Sequence, residues 1–564
     1  MRRPGLLLLA ILCVAACGTA RPPASTEPSS APQQPAVPTV PKTLIVALPS
    51  EPLGFGEMFA GGKSGPEHLQ AMMHRALAQP DERGAYRPEV AAELPSQDKG
   101  TWLLGADGQM DTTWKLRPNA RWHDGTPFTA ADIVFSWQVA NAPDVPYKQR
   151  QAARLISDIQ TLDDHTVVIH WKSFYLSADH LTVRDLFLLP KHLLEPSFTN
   201  DRAGFVNSTF WSSSFVGVGP YKLANWAPGS AAQLEAFDGF YGTAPRIQSI
   251  TVRFIEDTNT ELANLLGGQT DVQLGRSLGL EHALLLKQQW ESTGAGHTIT
   301  YPRGIFEIRF APGDQRAADL RVRKALYLAM DRQSVVRDLY SGLLDIANSY
   351  MNPEGAGFDV IDARTTKYPY DATQSAQLLG DLGWRKGNDG VLRNARGDSY
   401  DLGFSTTAGD EERNTLQSAV ANMWTTAGFN VTIQNVPPSV QASPEYNFQT
   451  TDLSGVATDF ESNVPRIDGR ELKTAQNPRG VNVWGYANPE VDRLLDQWRT
   501  TTNEAASINV QADVIHRLSE DLPILPINYR IEVLAVRTGV TGVPVRTEIL
   551  GNNSAWNVET WDRN

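Results

Sequence analysis

Residue types that could perform catalysis are present in this 564-residue chain, and their spacing decides whether catalysis is expected. His123 and Asp124 are adjacent, and a histidine beside an acid suggests a general base with its orienting carboxylate. Adjacent residues cannot, however, form a nucleophile–base–acid triad unaided. The sequence also contains no H-E-x-x-H motif, and no cysteine after Cys17 that could serve as a nucleophile. We therefore predict no catalytic residue.

Phosphate and metal binding have equally little support. The run Gly61-Gly62-Lys63-Ser64 resembles a phosphate loop, but the motif needs its first glycine at position 57, which is Glu57. We interpret the run as a flexible loop. The ten histidines show no metal-ligand spacing, so we expect no metal and no other cofactor. His68 and His74 follow the glycine-rich loop, and a contact with a ligand is one possible role for them. We expect instead that both lie on a helix surface.

The elements that position these residues alternate between strands and helices. From Thr113 the pattern is strand, turn and helix, and Thr129 with Asp132 has the spacing of a capping box. Asp331 is expected to cap a later helix, and Gly428 follows a helical pattern where a left-handed stop is expected. Further strand-like runs are 44–48, 167–171, 250–254 and 430–436. The sequence predicts an α/β fold with several sheets.

Several sequence motifs of this chain occur in the same order in one protein family. The longest is TWKLRPNARWHDGTPFTAADIVFSW, residues 113–137. It is followed by GVGPYK at 217–222, the segment 252–272, LRVRKALYLAMDR at 320–332, the segment 370–384, YANPEVD at 486–492 and LPILP at 522–526. From about residue 43 to beyond residue 529, the chain resembles extracellular solute-binding proteins of the peptide/nickel class. This class is family 5 of the solute-binding proteins, the oligopeptide/dipeptide-binding type, whose members serve ABC importers.

The resemblance implies a two-lobed periplasmic-binding-protein fold of type II, with an extra subdomain inserted in lobe one. The implied segments are 42–83, 214–303 and 530–564 for lobe one, 84–213 for the inserted subdomain and 304–529 for lobe two. The chain would cross between the lobes near Arg303-Gly304 and near Asn528-Tyr529. The resemblance also places His123-Asp124 in a structural turn.

The N-terminus indicates export and a lipid anchor. Arg2 and Arg3 precede an apolar run, residues 6–12, that is too short to span a bilayer. Val14-Ala15-Ala16-Cys17 then resembles a lipoprotein processing box, so we interpret 1–16 as a signal peptide and Cys17 as the acylated first residue. The alternative is an ordinary signal peptide with an incidental cysteine. The proline-rich segment 17–41 has the composition of an extended tether.

Composition restricts the compartment and the partners. Cys13 and Cys17 are the only cysteines, so the mature domain would hold no disulfide. The net charge is −13, and losing Arg2 and Arg3 with the leader makes it −15, which argues against nucleic acid and broad adhesion to anionic lipid. No other apolar run reaches the roughly 20 residues of a spanning helix. We expect a monomer on the outer face of the cytoplasmic membrane or in the periplasm, anchored through Cys17.

The segment Gly455 to Phe460 (GVATDF) is the most informative candidate site. It resembles the family's G-W-x-x-D-Y element, whose aspartate receives the α-ammonium group of a peptide. Asp459 and Phe460 fit the element, whereas Val456 replaces the expected tryptophan. The arginines that often precede the element and meet a peptide carboxylate are missing from 446–454. Because of this departure, other cationic or amide-rich solutes are alternatives to a peptide as the ligand. The alternative role for Asp459 is that of a helix cap.

Three weaker candidates complete the predicted ligand site. Trp484 and Tyr486 combine a large area with a polar tip and either line the cleft or pack lobe two. Glu51 belongs to an E-P pair that resembles a cleft-facing loop of the family.

The resemblance implies a solute-binding lipoprotein that captures peptides or peptide-like solutes by lobe closure and delivers them to an ABC permease. Two alternatives are a secreted hydrolase on the same scaffold and a sensory lipoprotein that presents its ligand to a membrane receptor.

Overall fold

Strands and helices alternate along the described chain. The computed structural model describes residues 41–564 except 57–64, 83, 106–107, 148–149, 312–313, 438–439, 441–449, 475–476, 478–479, 502 and 545–552. The predicted signal peptide, Cys17, nearly all of the predicted tether and the Gly61–Ser64 run lie outside these residues. Residues 41–564 form one compact unit. Within its described part, no helix is both long and apolar enough to cross a membrane.

The strands, in chain order, are β1 (Thr43–Leu48), β2 (Ala78–Pro80), β3 (Tyr86–Pro88), β4 (Trp102–Leu104), β5 (Met110–Lys115), β6 (Ile156–Asp163), β7 (Thr166–Trp171), β8 (Tyr221–Ala227), β9 (Ala231–Ala236), β10 (Ser249–Phe254), β11 (Val272–Gln273), β12 (Gly296–Arg309), β13 (Arg385–Lys386), β14 (Leu392–Arg393), β15 (Asp401–Thr407), β16 (Asn430–Val436), β17 (Thr451–Ala457), β18 (Ile524–Arg537), β19 (Val540–Thr541) and β20 (Asp562–Arg563).

The helices are α1 (Pro66–Met73), α2 (Ala130–Asn141), α3 (Gln151–Leu155), α4 (Lys191–Asn200), α5 (Arg202–Val206), α6 (Thr258–Leu266), α7 (Leu280–Thr293), α8 (Leu320–Leu328), α9 (Arg332–Tyr340), α10 (Phe358–Arg364), α11 (Ala372–Asp381), α12 (Glu411–Ala427), α13 (Phe460–Ile467), α14 (Pro489–Arg499) and α15 (Glu504–Asp521).

The predicted helix ends are present. The backbone N–H of Thr129 donates to the Asp132 carboxylate over 2.9 Å, which is one half of the capping box of α2. Asp331 caps α9 by accepting from the backbone N–H of Ser334 over 3.0 Å. Gly428 ends α12 with φ 109°, a left-handed conformation that glycine adopts without a steric penalty. These predictions from the sequence are confirmed.

One ten-stranded sheet runs through the molecule in the order β16-β15-β17-β12-β18-β11-β1-β10-β9-β8. At its centre β12 and β18, each 14 residues long, pair antiparallel. We call the half with β1 and β8 to β11 lobe one, and the half with β15 to β17 lobe two. The separate sheet β4-β5-β7-β6 belongs to the inserted subdomain.

The two lobes and the inserted subdomain each have an apolar core, and the core of lobe one extends into α2 of the predicted inserted subdomain. Lobe one is centred on β1 and β10, with Val46 and Val252 fully buried, and the inserted subdomain on residues such as Trp114. Lobe two has two cores, one around Phe306 and one around its neighbour Ile305. Because successive strand residues point to opposite faces, helices cover both sides of the lobe-two sheet.

The long strands pass from one lobe to the other through an irregular stretch. Tyr301 lies in the core of lobe one, whereas Phe306 lies in a core of lobe two. Between them the β12–β18 register shifts twice, at Pro302/Gly304 and at Ile305/Glu307. The sequence predicted a crossing near Arg303-Gly304, within this stretch. The predicted domain boundaries themselves stay a prediction.

Candidate functional site

The parallel strands of both lobes end beside the middle of the long β12–β18 pair. In lobe one β1 is parallel to β10 and β11, and in lobe two β15 is parallel to β16 and β17. β11 runs antiparallel to β18, with Gln273 opposite Ala535, and β17 runs antiparallel to β12, with Ala457 opposite Gly304. Ligands of open α/β sheets bind outside the carboxyl ends of parallel strands. The candidate site is therefore the crevice between the lobes, beside Gly304.

A group of charged side chains lies where β12 and β18 cross. We call Glu67, His68, Arg303 and Glu532 the crossing cluster. Arg303 forms an ion pair with the buried Glu532, and its second nitrogen lies 3.7 Å from Glu67. Burial lowers the pKa of His68 despite these carboxylates, so the imidazole is neutral near pH 7. Opposite charges are thus in direct contact at the crossing.

Arg276 lies just beyond the carboxyl end of β11. Its side chain is accessible to solvent, yet burial together with Arg303 and Arg530 lowers its pKa to about 10. A residue that is accessible but surrounded by protein lies in a concave surface. Arg276 therefore lines the crevice from lobe one.

Asp459 follows β17 and caps α13 at the edge of the crevice. Its carboxylate accepts a hydrogen bond from the backbone N–H of Ser462 over 2.7 Å, and another from the Ser462 hydroxyl. The residue is 9% exposed. Burial raises the pKa of Asp459, although the two bonds from Ser462 and the charge of Arg184 oppose that rise. The structure thus assigns Asp459 a capping role, and ligand contact by Asp459 stays a prediction.

The inserted subdomain meets lobe two beside Asp459. The Ser177 hydroxyl, in the short helical turn Leu176–Asp179, donates a hydrogen bond to Glu461 in the first turn of α13. His180 stacks on Tyr86 with 3.7 Å between ring centroids, and its Nδ1 contacts Asp179. We call this group the rim cluster; its members are Tyr86, Ser177, Asp179, His180, Asp185, Asp459 and Glu461.

Carboxylates dominate the rim cluster. Burial raises the pKa of Glu461, with Asp185 and Asp459 adding to the rise and His180 and Ser177 opposing it. Burial opposes the charge on His180, but Asp179, Glu461 and Asp185 together raise its pKa. The rim cluster therefore attracts protons, or any other cation, when the inserted subdomain contacts lobe two.

The remaining predicted ligand residues make contacts within their own lobes. Phe460 packs on Trp498 with 5.0 Å between ring centroids. Trp484 donates to Glu307 over 3.3 Å and lines an apolar pocket of lobe two. The Tyr486 hydroxyl donates to Asp521 over 2.7 Å. In lobe one, Glu51 accepts from Trp226 Nε1 and the Gly229 N–H, at 2.6 and 2.9 Å. Ligand contact by these four residues stays a prediction.

Residues 105–469 match the family model "Bacterial extracellular solute-binding proteins, family 5 Middle". The chain belongs to this family. The family is one of extracellular binding proteins rather than enzymes, so the chain is an extracellular solute-binding protein. It is 22% identical to the oligopeptide-binding protein AppA of Bacillus subtilis over an alignment of 576 residues. The alignment covers 99% of each chain.

Solved structures share the fold of this solute-binding protein. AppA of Bacillus subtilis in complex with a nonapeptide matches with a TM-score of 0.74 at 21% identity, covering 93% of this chain and all of that chain. NikZ from Campylobacter jejuni in complex with Ni(L-His) gives the same TM-score at 23% identity and the same coverage. The predicted two-lobed fold is confirmed.

The histidines singled out from the sequence make contacts within the protein. His123 accepts from the backbone N–H of Gly217 over 3.1 Å, and burial lowers its pKa to about 4. Asp124 contacts His192 over 2.6 Å rather than its neighbour. The expected helix-surface location of His68 and His74 is wrong, because they are 0% and 2% exposed. Both side chains face the lobe-one interior, which the local sequence did not reveal.

Two sets of crevice residues were not predicted from the sequence. Ser177 and Glu461 lie 284 residues apart, and no local pattern links them. Arg530 and Glu532, in contrast, had a visible signal. They are charged residues inside an otherwise apolar strand pattern, which is the informative case for a buried position.

Proposed function

We propose that this protein captures peptides or peptide-like solutes in the crevice by lobe closure and delivers them to an ABC permease. The observation that carries the proposal is the crevice at the meeting point of both sets of parallel strands, bridged by β12 and β18. The relatives add support, since AppA of Bacillus subtilis is named an oligopeptide-binding protein and its solved structure holds a nonapeptide. Backbone groups of an extended ligand can pair with strand edges in such a crevice, which gives affinity with little side-chain discrimination.

Closure is supported by the contact between the inserted subdomain and lobe two. The hydrogen bond from Ser177 to Glu461 joins two parts of the molecule whose apolar cores are separate. Such a contact is lost when the lobes move apart, so it contributes only to the closed form. A solute that bridges the lobes shifts the equilibrium toward that form in proportion to its preference for it.

Asp459 is the proposed receiver of a ligand ammonium group. A carboxylate with two hydrogen bonds from Ser462 can accept further bonds. Closure removes water from the resulting ion pair and makes the contact a charge-assisted hydrogen bond. The rim carboxylates around Asp459 favour a cation at the same place.

The test separates the two roles of Asp459. Serine is a good N-cap without a charge, so Asp459→Ser should leave the melting temperature nearly unchanged. It should weaken binding of the co-purifying solute, identified by mass spectrometry, by roughly 30-fold or more. The matched control is Asp371→Ser, which replaces the exposed cap of α11 and should change neither quantity. Unchanged affinity in Asp459→Ser would show that Asp459 is a cap alone.

We also propose that Cys17 is acylated and that residues 17–41 tether the binding domain to the outer face of the cytoplasmic membrane. The support is the small-residue box before Cys17 and the proline-rich composition after it. Fatty-acid labelling should mark the wild type and not Cys17→Ala; equal labelling of both would exclude this anchor.

A further inference from the structure

Arg530 is a charged residue without a hydrogen-bond acceptor among the described residues. Its Nε is buried and unpaired, and the guanidinium lies over the Phe306 ring, 4.6 Å from the centroid. The side chain is half-buried, and burial lowers its pKa. A buried donor without a partner costs roughly 1–3 kcal/mol, and more for a charged group. Such a group therefore needs an explanation.

The neighbours of Arg530 place its guanidinium at the crevice. On the sheet Arg530 pairs with Gly304, at the crossing between the lobes. Its charge contributes to the lowered pKa of Arg276, which lines the crevice from lobe one. A Cβ added at Gly455 would collide with Arg530 Nη1, so the glycine leaves room for the guanidinium beside β17.

Glu412, in the first turn of α12, is the carboxylate that most favours the charge on Arg530. It does not form an ion pair with Arg530 within 4.0 Å. Burial raises the pKa of Glu412, although Arg530 opposes that rise. The carboxylate is thus near enough to reduce the field of Arg530 and too far away to occupy its donors.

We propose that Arg530 is an anion-recognising residue of the crevice, and that it binds the carboxylate of a captured solute through two parallel hydrogen bonds. The guanidinium fork matches the geometry of a carboxylate, and Arg276 adds positive charge from the facing lobe. The inference rests on the proposed function, which supplies the solute. It names a carboxylate receiver for a chain whose segment 446–454 contains no arginine or lysine.

The separation of Arg530 from Asp459 sets a preferred solute length. Arg530 Nη1 lies beside Gly455, and Asp459 follows four residues later. At about 3.3 Å per residue of extended chain this spans roughly 13 Å. An extended peptide of three or four residues separates its ammonium and carboxylate groups by a similar distance. The crevice should therefore prefer zwitterionic tri- and tetrapeptides.

The first experiment compares tetraalanine with its C-terminal amide by calorimetric titration. The wild type should bind the free acid at least roughly 10-fold more tightly, and Arg530→Gln should lose that preference. Arg530→Lys keeps the charge but not the fork and should retain part of the preference. The control Arg396→Gln, at a side chain that is 84% exposed, should behave as the wild type. An undiminished preference for the free acid in Arg530→Gln would overturn the proposal.

The length preference is tested with free-acid di-, tri-, tetra- and hexaalanine. A maximum at three or four residues is expected, and equal affinity across the series would exclude the length preference.

A second measurement keeps the proposal testable if no alanine peptide binds, an outcome that would count against peptide capture. Acetate is then titrated against wild type and Arg530→Gln while the melting temperature is followed. An acetate-dependent rise in the wild type that is absent from the variant supports the anion site independently. Equal responses of two folded proteins overturn it, and inorganic phosphate in a parallel titration distinguishes carboxylate recognition from general anion binding.

Discussion

The crossing cluster and the rim cluster both lie at the crevice, but they differ in how their charges are paired. Opposite charges are in contact in the crossing cluster, whereas carboxylates lie next to one another in the rim cluster. At the crossing, Arg303 contacts Glu532 directly, and Glu67 lies nearby. At the rim, burial raises the pKa of Glu461, and the neighbouring carboxylates of Asp185 and Asp459 raise it further. Arg303 and Glu532 of the crossing cluster lie on two strands that pair with each other from Gly296 to Arg309. The rim joins the inserted subdomain to lobe two, two parts that separate on opening in the proposed closure mechanism. We infer that paired charge stabilises the fold, whereas unpaired charge makes closure depend on protons or ligands.

The largest expected effect breaks the crossing cluster. Glu532→Ala leaves Arg303 half-buried with only the more distant Glu67, and removing one member of a buried pair typically costs about 3–5 kcal/mol. We expect the free energy of unfolding to fall by about 3 kcal/mol in urea titrations, because Glu67 compensates part of the charge.

The control for Glu532→Ala is Glu291→Ala, which removes an exposed partner of Lys287 at 3.9 Å. Exposed pairs contribute less than about 1 kcal/mol. The double variant Glu532→Leu with Arg303→Met should regain most of the lost stability, since an apolar pair leaves no stranded charge. A double variant as unstable as Glu532→Ala would show that packing, not charge, dominates at the crossing.

The second expected effect concerns closure at the rim. In the proposed closure, His180 and Glu461 have their ordinary pKa values when the open form exposes them to water, and raised values when the inserted subdomain contacts lobe two. The closed form should then bind protons more tightly than the open form. The contribution of His180 to closure is complete below its ordinary pKa of 6.5 and is lost as the pH rises through its raised pKa. The contribution of Glu461 has the same sign: it is complete below the ordinary pKa of 4.5 and is lost as the pH rises through the raised pKa of Glu461. Closure should therefore strengthen as the pH falls.

Small-angle scattering of ligand-free protein between about pH 5 and pH 8 measures this effect as a falling radius of gyration at lower pH. Glu461→Gln should flatten the dependence, although the carboxylates of Asp179 and Asp185 still act on His180. The other rim groups are the neutral Tyr86 ring that stacks on His180, and Asp459 with the nearby charge of Arg184. The control Glu520→Gln alters an exposed glutamate that lies 3.8 Å from His516 and should leave the dependence intact. A radius that is independent of pH would contradict the comparison between rim and crossing.

The sequence predicted the parts of this molecule that depend on local patterns. The capping box at Thr129 and Asp132 needs only a three-residue spacing, and the crossing near Gly304 follows from motifs in their family order. The rim was not predictable, because Ser177 and Glu461 meet only through the packing of two separate cores. His68 and His74 were misplaced for a related reason. A helix beside a glycine-rich loop is equally compatible with surface and interior until the elements that cover it are known.

The smallest expected effect concerns Tyr486, which belongs to neither cluster and thus provides a baseline for the comparison. Tyr486→Phe removes the hydrogen bond to Asp521, but Asn488 still donates to the same carboxylate over 2.8 Å. No buried charge is stranded, so the free energy of unfolding should fall by only about 1 kcal/mol. Affinity for the co-purifying solute should not change if Tyr486 packs lobe two, whereas a cleft-lining tyrosine would lose a ligand contact. Calorimetric titration and urea unfolding of this one variant decide between the two roles. A fall in affinity at unchanged stability would return Tyr486 to the ligand site and extend the crevice beyond the two clusters.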